Sequence, residues 1–387
     1  MSNSSRFVTA WFACLLLAST ALPAKAQNKT PIPAGAKAHR DLAYVENGHE
    51  RQKLDLYLPE KSDGPVPVII WVHGGGWQNG TKDGCPPLRG GYLERGYAVA
   101  SIGYRLSQHA IFPAQIEDCK TAIRWLRAHA QDYGIDPNRL GVWGSSAGGH
   151  LVALLGTSGE VKAFEAGANP DQSSRVQAVC DYFGPTDFTQ MDARAIPGAT
   201  LKHNDANSPE ARLLGGAVQE SREKAARANP ITYVSRDDPA FLIVHGDKDP
   251  LVPIHQSELL YAALQQNGGS VHFHTIHGAG HGGSGFNEPT ITELVTTFFE
   301  QTLKAKPGPP EAKTSASTTT ATEQKPGAPT ARALPKYDDI LQRSDTNKDG
   351  KISREEFRGP APLFDRLDRD KDGFVTRAEH EAAAPGK

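Results

Sequence analysis

Cysteine is scarce in this chain, and basic residues are not in excess. The 387 residues include 4 Cys, and 42 Lys+Arg against 44 Asp+Glu leave a formal net charge of −2. So few cysteines exclude a disulfide-dense scaffold, and a nucleic-acid-binding protein would carry a basic excess. With glycine included, about 48% of the residues are apolar, which is ordinary for a folded protein with a sizeable core. At roughly 150 residues per domain, the length predicts two units, or one large unit with an appendage.

Long hydrophobic runs are also missing, except for a short one near the start. Arg6 supplies a positive charge, residues 7–18 are apolar, and Ala24-Lys25-Ala26 fits a small-residue cleavage site. A membrane anchor is the alternative, but a spanning helix needs about 20 apolar residues and this run has 12. We therefore interpret residues 1–26 as an export signal. We expect a mature protein that is secreted or periplasmic and has no stable membrane insertion.

Removal of this signal would also remove one of the four cysteines. Cys85, Cys119 and Cys180 would remain, so at most one disulfide can form and at least one thiol stays unpaired. Cys119 and Cys180 lie in segments with an apolar pattern, where a buried, unreactive thiol is the expected state.

A segment without aromatic residues separates two regions near the other end. Residues 307–335 contain six Pro, six Thr and six Ala among 29 positions, with no apolar periodicity. Such a segment cannot bury enough surface to offset the entropy lost on ordering, so it predicts a flexible linker. The linker would divide a main domain, residues 27–306, from an acidic tail, residues 336–387.

The main domain alternates segments typical of strands with segments typical of helices. Helical spacing of apolar residues predicts helices at 116–129, 147–155 and 256–266. Short apolar or alternating runs predict strands at 54–58, 66–72, 97–102, 139–143, 176–182, 241–244 and 271–276. This alternation predicts an α/β fold, with a mostly parallel sheet covered by helices on both faces. Ligands of such sheets bind at the carboxyl ends of the strands, so functional residues are expected there.

One pentapeptide at a predicted strand end has the pattern of a nucleophile turn. Gly144-Ser145-Ser146-Ala147-Gly148 is the single G-x-S-x-G of the chain, and it lies between a predicted strand and a predicted helix. Such a turn is so sharp that the residues two positions before and after the serine must be small. Both are glycine here, which predicts Ser146 as an exposed nucleophile.

A second glycine cluster follows the strand at 66–72. His73-Gly74-Gly75-Gly76-Trp77 allows backbone N–H groups to face an anion without interference from side chains. It is typical of the oxyanion loop that accompanies G-x-S-x-G, the remaining donor being the N–H of Ala147. The alternatives are a tight turn or a phosphate nest, but a phosphate loop would end in Lys followed by Ser or Thr, and that ending is absent.

A serine nucleophile needs a histidine, which in turn needs a carboxylate to orient it. In this type of sheet the acid precedes the histidine along the chain. Asp249 follows the strand at 241–244, and His281 follows the strand at 271–276 within a run of glycines. We predict Asp249 and His281 as the partners of Ser146.

Three nearby residues are alternatives for these roles. Asp247 and His277 each lie closer to the end of the preceding strand, where a turn or sheet-edge role is expected. Asp187 is a third carboxylate near a strand end, and we expect it to have a structural turn role.

Taken together, these motifs resemble those of one superfamily. Residues 52–285 resemble the α/β-hydrolases, in particular the esterase branch that includes hormone-sensitive lipase and bacterial feruloyl and acetyl-xylan esterases. The resemblance rests on both glycine motifs and on the order of serine, acid and histidine. It implies oxyanion donors at Gly75, Gly76 and Ala147. It further implies a serine esterase that forms an acyl-enzyme and needs no catalytic cofactor. Acetyl or feruloyl esters of plant polysaccharide, or small soluble esters, are the expected substrates.

The same resemblance raises expectations about the surroundings of the site. Trp77 is expected to shape the acyl pocket or to contribute its own N–H. Residues 188–230 correspond to a region that often forms part of a lid in the family. Their sequence is polar and irregular, with a short Ala/Arg-rich helix, and predicts a modest lid. Two alternatives remain open. One is a serine peptidase of the same fold; the other is a calcium-dependent attachment protein, binding a protein or cell wall through its tail, in which hydrolysis is secondary.

The acidic tail contains two loops that fit the EF-hand pattern. The loops begin at Asp345 and Asp368, only 23 residues apart, and resemble an EF-hand pair in a small all-α domain. We expect each to bind structural calcium through carboxylate, side-chain amide, backbone carbonyl and hydroxyl oxygens. Their eighth positions, Ile352 and Val375, are where paired loops can bridge. The predicted ligands are Asp345, Asn347, Asp349, Lys351, Ser353 and Glu356 in the first loop, and Asp368, Asp370, Asp372, Phe374, Thr376 and Glu379 in the second.

Overall fold

The computed structural model describes residues 30–304 and, in the tail, residues 337, 341, 349–353, 356, 367–377 and 379–380. The chain divides into two compact units, Met1–Glu311 and Ala312–Lys387. The predicted export signal, the predicted linker and two predicted calcium ligands, Asp345 and Asn347, lie outside the described residues, so these remain predictions.

Eight strands of the first unit form one sheet. Their bounds are β1 Lys37–Ala43, β2 Lys53–Leu58, β3 Val66–Val72, β4 Ala98–Ile102, β5 Ile135–Ser145, β6 Ala178–Tyr182, β7 Ala240–Gly246 and β8 Val271–Ile276. The strand order is β1-β2-β4-β3-β5-β6-β7-β8. Pairing is antiparallel from β1 to β2 and from β2 to β4, and parallel across the rest of the sheet.

Helices cover both faces of this sheet. Every residue of β3 is buried, and because successive side chains of a strand point to opposite faces, Ile70 joins one apolar cluster and Ile69 the other. The cluster of Ile70 includes Leu126 and Leu151, and that of Ile69 includes Phe299. The α-helices are α1 Ala114–Ala128, α2 Ala130–Tyr133, α3 Ala147–Thr157, α4 Pro209–Leu214, α5 Arg222–Ala228, α6 His255–Gln266 and α7 Pro289–Phe299.

The predicted fold class is confirmed, with some elements added. The predicted strands and helices all lie within one to four residues of observed ones. The sequence patterns did not predict β1, α2, α4 or α7, whereas the short Ala/Arg-rich helix expected within residues 188–230 is α5. β1 lies at the edge of the sheet, and none of its residues is buried. Its polar residues and a bulge between His39 and Leu42 interrupt the alternation of polar and apolar residues that predicts a strand. Short 3-10 helices lie at Pro86–Gly90, Lys162–Phe164, Phe188–Gln190, Asp192–Arg194, Val218–Glu220, Pro230–Tyr233 and Ser284–Asn287, and a π-helical turn at Glu300–Lys304.

The three cysteines among the described residues, Cys85, Cys119 and Cys180, are buried free thiols. Burial raises the pKa of Cys85 to about 12, and it raises the pKa of Cys119 and Cys180 well above the ordinary value. A thiol is the unreactive form, so the expectation of inert cysteines holds. Within the described part of the chain, no helix combines the length and apolarity needed to cross a bilayer.

In the second unit the described residues include two short strands. β9, Ile352–Ser353, pairs antiparallel with β10, Phe374–Val375, and Val375 lies opposite Ile352. The expected bridge between the eighth positions of the two loops is confirmed.

Candidate active site

Ser146 occupies a strained turn between β5 and α3. Its backbone angles are φ 55° and ψ −123°, a region that residues other than glycine rarely adopt. A Cβ atom on Gly144 would lie 2.3 Å from the carbonyl oxygen of Gly148, and one on Gly148 would lie 2.1 Å from that of Val72. A side chain at either position would collide with the backbone, so both residues must be glycine. The turn holds Ser146 clear of the sheet, as its motif predicts.

Asp249 and His281 form a hydrogen-bonded pair beyond β7 and β8. His281 Nδ1 lies 2.7 Å from Asp249 Oδ2, and Asp249 is only 2% exposed. The other carboxylate oxygen, Oδ1, accepts hydrogen bonds from the N–H groups of Leu251 and Val252, at 2.8 and 2.9 Å. Burial alone would raise the pKa of Asp249, but hydrogen bonds from His245 and His281 and the charge of His281 hold that pKa below its ordinary value. Asp249 is therefore an anion at neutral pH.

His245 also contacts Asp249, a contact that the sequence analysis did not predict. His245 is the sixth residue of β7 and is fully buried, and its Nε2 lies 3.3 Å from Asp249 Oδ2 and 2.9 Å from the Val252 carbonyl oxygen. Its Nδ1 lies 2.7 Å from the Ser257 hydroxyl. Because a carbonyl oxygen only accepts, Nε2 carries the proton. The sequence signal was a histidine four residues before an acid at a strand end.

The alternative residues make separate contacts. His277 Nδ1 lies 3.0 Å from Asp247 Oδ2, and 86% of the His277 side chain is exposed. Asp187 accepts hydrogen bonds from the N–H and hydroxyl of Thr189 and from the side chain of Gln190. Asp187 thus caps a 3-10 turn, which is the structural role expected for it.

Ser146 and His281 line one cavity of about 260 Å³. The three predicted oxyanion donors, Gly75, Gly76 and Ala147, line the same cavity. The structure therefore brings the nucleophile, the histidine and the oxyanion loop together, whereas Asp249 lies behind His281. In the described residues the Ser146 hydroxyl makes no hydrogen bond, and catalytic hydrogen bonds are often long before substrate binds.

Hydrogen bonds to two carbonyl groups fix the direction of the oxyanion donors. His73 Nδ1 lies 2.8 Å from the Gly74 oxygen, and the Gly75 oxygen accepts from the N–H groups of Gln78 and Asn79, at 3.1 and 2.9 Å. In a trans peptide the C=O and the following N–H point in opposite directions. The N–H groups of Gly75 and Gly76 consequently point away from these partners.

Two further residues complete the oxyanion end of the cavity. Ala147 is the first residue of α3, and an N–H in the first turn of a helix has no partner within it. Trp77 is 1% exposed and lines the cavity, and its ring packs against His150 and Phe188, with centroids 5.2 and 5.4 Å apart. The Trp77 side chain therefore shapes the cavity, which is one of the two roles expected for it.

The region 188–230 supplies a wall of the cavity, including Leu201, Pro209 and a buried His–Glu pair. His203 Nδ1 lies 3.0 Å from Glu210 Oε1, and His203 Nε2 lies 2.9 Å from the Leu251 oxygen. Burial would lower the pKa of His203, but the carboxylate of Glu210 raises it above its ordinary value. Glu210 Oε2 is buried and has no hydrogen-bond partner among the described residues. The wall thus contains a buried carboxylate with one unsatisfied oxygen, on a residue that lines the cavity.

In the tail, the second loop brings its acidic residues together. One carboxylate oxygen each of Asp368, Asp370 and Asp372 lies within 4.8 Å of the others, and Asp368 Oδ1 is buried without a hydrogen-bond partner among the described residues. Glu379 accepts hydrogen bonds from the N–H and hydroxyl of Thr376. Converging hard oxygens with an unsatisfied buried carboxylate fit a divalent cation such as Ca²⁺.

In the first loop, the described ligands show the matching arrangement. Glu356 accepts from the N–H and hydroxyl of Ser353, as Glu379 does from Thr376, and the Lys351 N–H donates to Asp349 at 2.9 Å. Gly350 and Gly373 have φ values of 79° and 88°, which suit the sharp turn at the sixth position of an EF-hand loop.

Both units of the chain resemble known proteins. Residues 338–359 and 361–379 match the EF-hand model. Two curated relatives come from Mycobacterium tuberculosis. Esterase LipQ is 35% identical over 234 residues, covering 59% of this chain and 53% of LipQ. The probable carboxylic ester hydrolase LipM is 32% identical over 231 residues, covering 58% of this chain and 51% of LipM. The chain thus spans about half the length of these relatives.

A solved structure of a truncated carbohydrate esterase from gut microbiota superposes with a TM-score of 0.64 at 33% identity, covering 69% of this chain and 96% of that one. The family model BD-FAE matches residues 54–264, which is more than half of the chain and contains Ser146 and Asp249. The chain belongs to the BD-FAE family of α/β-hydrolase esterases.

Proposed function

We propose that the first unit is a serine carboxylesterase that works through an acyl-enzyme. One observation carries the proposal: His281, held 2.7 Å from the buried carboxylate of Asp249, shares a cavity with Ser146 and the oxyanion loop. An acid, a base and a nucleophile in this relation perform acyl transfer.

In this mechanism Ser146 Oγ attacks the ester carbonyl carbon while His281 Nε2 takes the hydroxyl proton. Asp249 keeps the proton of His281 on Nδ1 and stabilises the imidazolium that forms. The carbonyl oxygen becomes an anion held by the N–H groups of Gly75, Gly76 and Ala147. His281 then gives its proton to the departing alcohol. A water molecule, deprotonated by His281, releases the acid and restores the serine.

The first test is substitution of the nucleophile. Ser146→Ala should abolish hydrolysis of p-nitrophenyl acetate while the melting temperature changes little, because the change removes one oxygen that makes no hydrogen bond among the described residues. A well-folded Ser146→Ala protein with turnover comparable to the wild type would refute the proposal.

We further propose that the substrate is a short acyl ester of a hydroxyl-rich alcohol such as a sugar. A cavity of about 260 Å³ is small beside the roughly 300–1,000 Å³ of typical ligand pockets, which favours an acetyl group over a feruloyl group. The unsatisfied Glu210 oxygen would accept a hydrogen bond from a hydroxyl group.

Substrate comparison tests this assignment. Acetylated xylan and acetylated xylose should be hydrolysed with higher kcat/KM than methyl ferulate or a p-nitrophenyl ester of a long fatty acid. Glu210→Gln should lower kcat/KM about tenfold on acetylated xylose, since a hydrogen bond to a charged carboxylate is replaced by a weaker one to a neutral amide oxygen. It should have little effect on p-nitrophenyl acetate, which has no sugar hydroxyl. Equal losses on both substrates would contradict a role in hydroxyl recognition.

We also propose that calcium in the tail is structural and that the chain is exported. Chelation by EDTA should remove calcium from the tail and leave hydrolysis of p-nitrophenyl acetate unchanged; a collapse of activity would show that the two units depend on each other. Export predicts a mature protein beginning at Gln27, which amino-terminal sequencing of the secreted or periplasmic protein would detect.

A further inference from the structure

Arg51 lies outside the cavity yet contacts the base of the oxyanion loop. It lies two residues before β2, and its Nη2 lies 3.2 Å from His73 Nε2. The same guanidinium donates from Nη2 to the Gly80 oxygen at 2.7 Å and from Nε to the Tyr104 oxygen at 2.8 Å. Three contacts to separate segments hold this side chain in one place.

The partners of His73 determine which of its nitrogens carries the proton. A guanidinium only donates, so His73 Nε2 must accept from Arg51. A carbonyl oxygen only accepts, so His73 Nδ1, 2.8 Å from the Gly74 oxygen, must carry the hydrogen. Burial lowers the pKa of His73 to about 4, which leaves the ring neutral at neutral pH. Both contacts require the same neutral tautomer.

Packing fixes the orientation of the His73 ring. Tyr104 stacks on it with centroids 4.3 Å apart and planes 14° apart, and the Tyr104 hydroxyl donates to the His73 oxygen at 2.8 Å. On another side is Gly80, where a Cβ atom would lie 2.5 Å from His73 Nδ1 and 2.4 Å from the Gly74 oxygen. The ring cannot turn, so only the position of its proton remains to be set.

The position of the His73 proton affects catalysis because it orients the peptide group between Gly74 and Gly75. With hydrogen on Nδ1, His73 holds the Gly74 C=O, and the Gly75 N–H of the same peptide points the opposite way. With hydrogen on Nε2 instead, the Nδ1 lone pair would face the Gly74 oxygen, and the two would repel. The peptide would then tend to rotate and take the Gly75 N–H with it.

We propose that Arg51 is a positioning residue for the oxyanion hole, because it keeps His73 in the Nδ1–H form that orients the Gly74–Gly75 peptide. The expected effect of Arg51 on rate rests on the proposed ester hydrolysis. The expected tautomer of His73 does not rest on that function and can be measured directly.

The test uses the full chain with Arg51→Met, which keeps the length of the side chain and removes its donors. We expect kcat on p-nitrophenyl acetate to fall at least about tenfold, approaching the roughly 10²–10³-fold cost of losing one oxyanion donor. KM should change little, because the donor acts mainly in the transition state. Arg51→Lys, which retains a donor, should recover part of the loss. Arg139→Met removes an arginine that bonds Asp136 and the Pro65 oxygen, and it should leave kcat unchanged.

A spectroscopic readout separates this role from a general loss of structure. In ¹⁵N-histidine-labelled protein, long-range ¹H–¹⁵N spectra should show His73 as the Nδ1–H form in the wild type and a mixture in Arg51→Met. The resonance is assigned by its loss in His73→Gln. Full activity in Arg51→Met, or an Nε2–H form in the wild type, would overturn the inference. A wild-type protein that hydrolyses no ester would instead refute the proposed function and leave the tautomer result standing.

Discussion

Two Asp–His pairs lie beside each other at the ends of β7 and β8, and their distances are similar. Asp249 and His281 are 2.7 Å apart, and Asp247 and His277 are 3.0 Å apart. Their surroundings differ. The side chains of Asp249 and His281 are 1% and 17% exposed, whereas those of Asp247 and His277 are 27% and 86% exposed. Solvent surrounds the second pair.

The difference shows that a short Asp–His distance does not by itself make a catalytic pair. His281 lines the cavity of Ser146, and its carboxylate partner is withdrawn from water and oriented by the N–H groups of Leu251 and Val252. An exposed ion pair is worth little, since water and salt compete with it. Burial gives the carboxylate one geometry and strengthens its interaction with an imidazolium. This contrast supports the proposal that the buried pair is catalytic and that the exposed pair makes only a loop contact.

Removing the two histidines separately gives the largest expected contrast. His281→Ala should lower kcat by about 10⁴-fold or more, because the serine loses its base. His277→Ala should leave kcat unchanged, since its side chain is exposed and makes its contact away from the cavity. Steady-state kinetics on p-nitrophenyl acetate would measure both. A large loss in His277→Ala would reverse the assignment.

The two carboxylates should show the same contrast. Asp249→Asn should lower kcat by up to about 10⁴-fold, because the amide cannot stabilise an imidazolium and favours the wrong histidine tautomer. Asp247→Asn is the matched control, two residues away, and should retain wild-type kcat. If both variants lost activity equally, the loop as a whole, and not the buried carboxylate, would be responsible.

The sequence predicted much of this site because the chemistry imposes small residues at fixed positions. Gly144 and Gly148 are required by contacts under 2.5 Å, so the turn around Ser146 is visible as a motif. The order of serine, acid and histidine led to Asp249 and His281, the pair that the structure places together. In the structure, the cavity distinguishes His281 from His277, and burial distinguishes Asp249 from Asp247.

Contacts between distant segments were not predictable in the same way. Arg51 and His73 are separated by 21 residues, and Glu210 reaches the cavity from a region of irregular sequence. The contact of His245 with Asp249 was not predicted, because a histidine next to an apolar strand is usually a buried residue with satisfied hydrogen bonds. Each of these roles depends on which chain segments pack together, which no local pattern records.

The buried pair also has a neighbour that the exposed pair lacks, and removing it should give a smaller effect. His245→Gln should lower kcat about tenfold for two reasons. The His245 Nε2–H, 3.3 Å from Asp249 Oδ2, is displaced, a contact worth about 1 kcal/mol or slightly more, and the Val252 carbonyl loses its hydrogen bond from His245. Ser257→Ala is the control: it removes the partner of His245 Nδ1 without touching Asp249, and it should cost less. A loss from Ser257→Ala as large as from His245→Gln would show that His245 acts through packing alone.

Acid titration gives the smallest effect and compares the two carboxylates by stability. The pKa of Asp249 is lower in the folded protein than the roughly 3.9 of an unfolded chain. Its ionised form therefore stabilises the fold above about pH 4, and this stabilisation is lost as the pH falls through that value towards the folded-state pKa. Asp249→Asn should accordingly be less stable than the wild type at pH 7, and the difference in melting temperature should narrow as the pH falls from 5 towards 2.

The pKa of Asp247 is also lowered, mainly by its hydrogen bond with His277. Its ionised form therefore also stabilises the fold, and this stabilisation is also lost as the pH falls. Because solvent screens that pair, Asp247→Asn should show only a slight difference in melting temperature at any pH. Scanning calorimetry of both variants between pH 2 and 7 would measure the contrast. A steeper acid dependence for Asp247 than for Asp249 would mean that the exposed pair contributes more to stability. Burial would then not be the property that separates the two pairs.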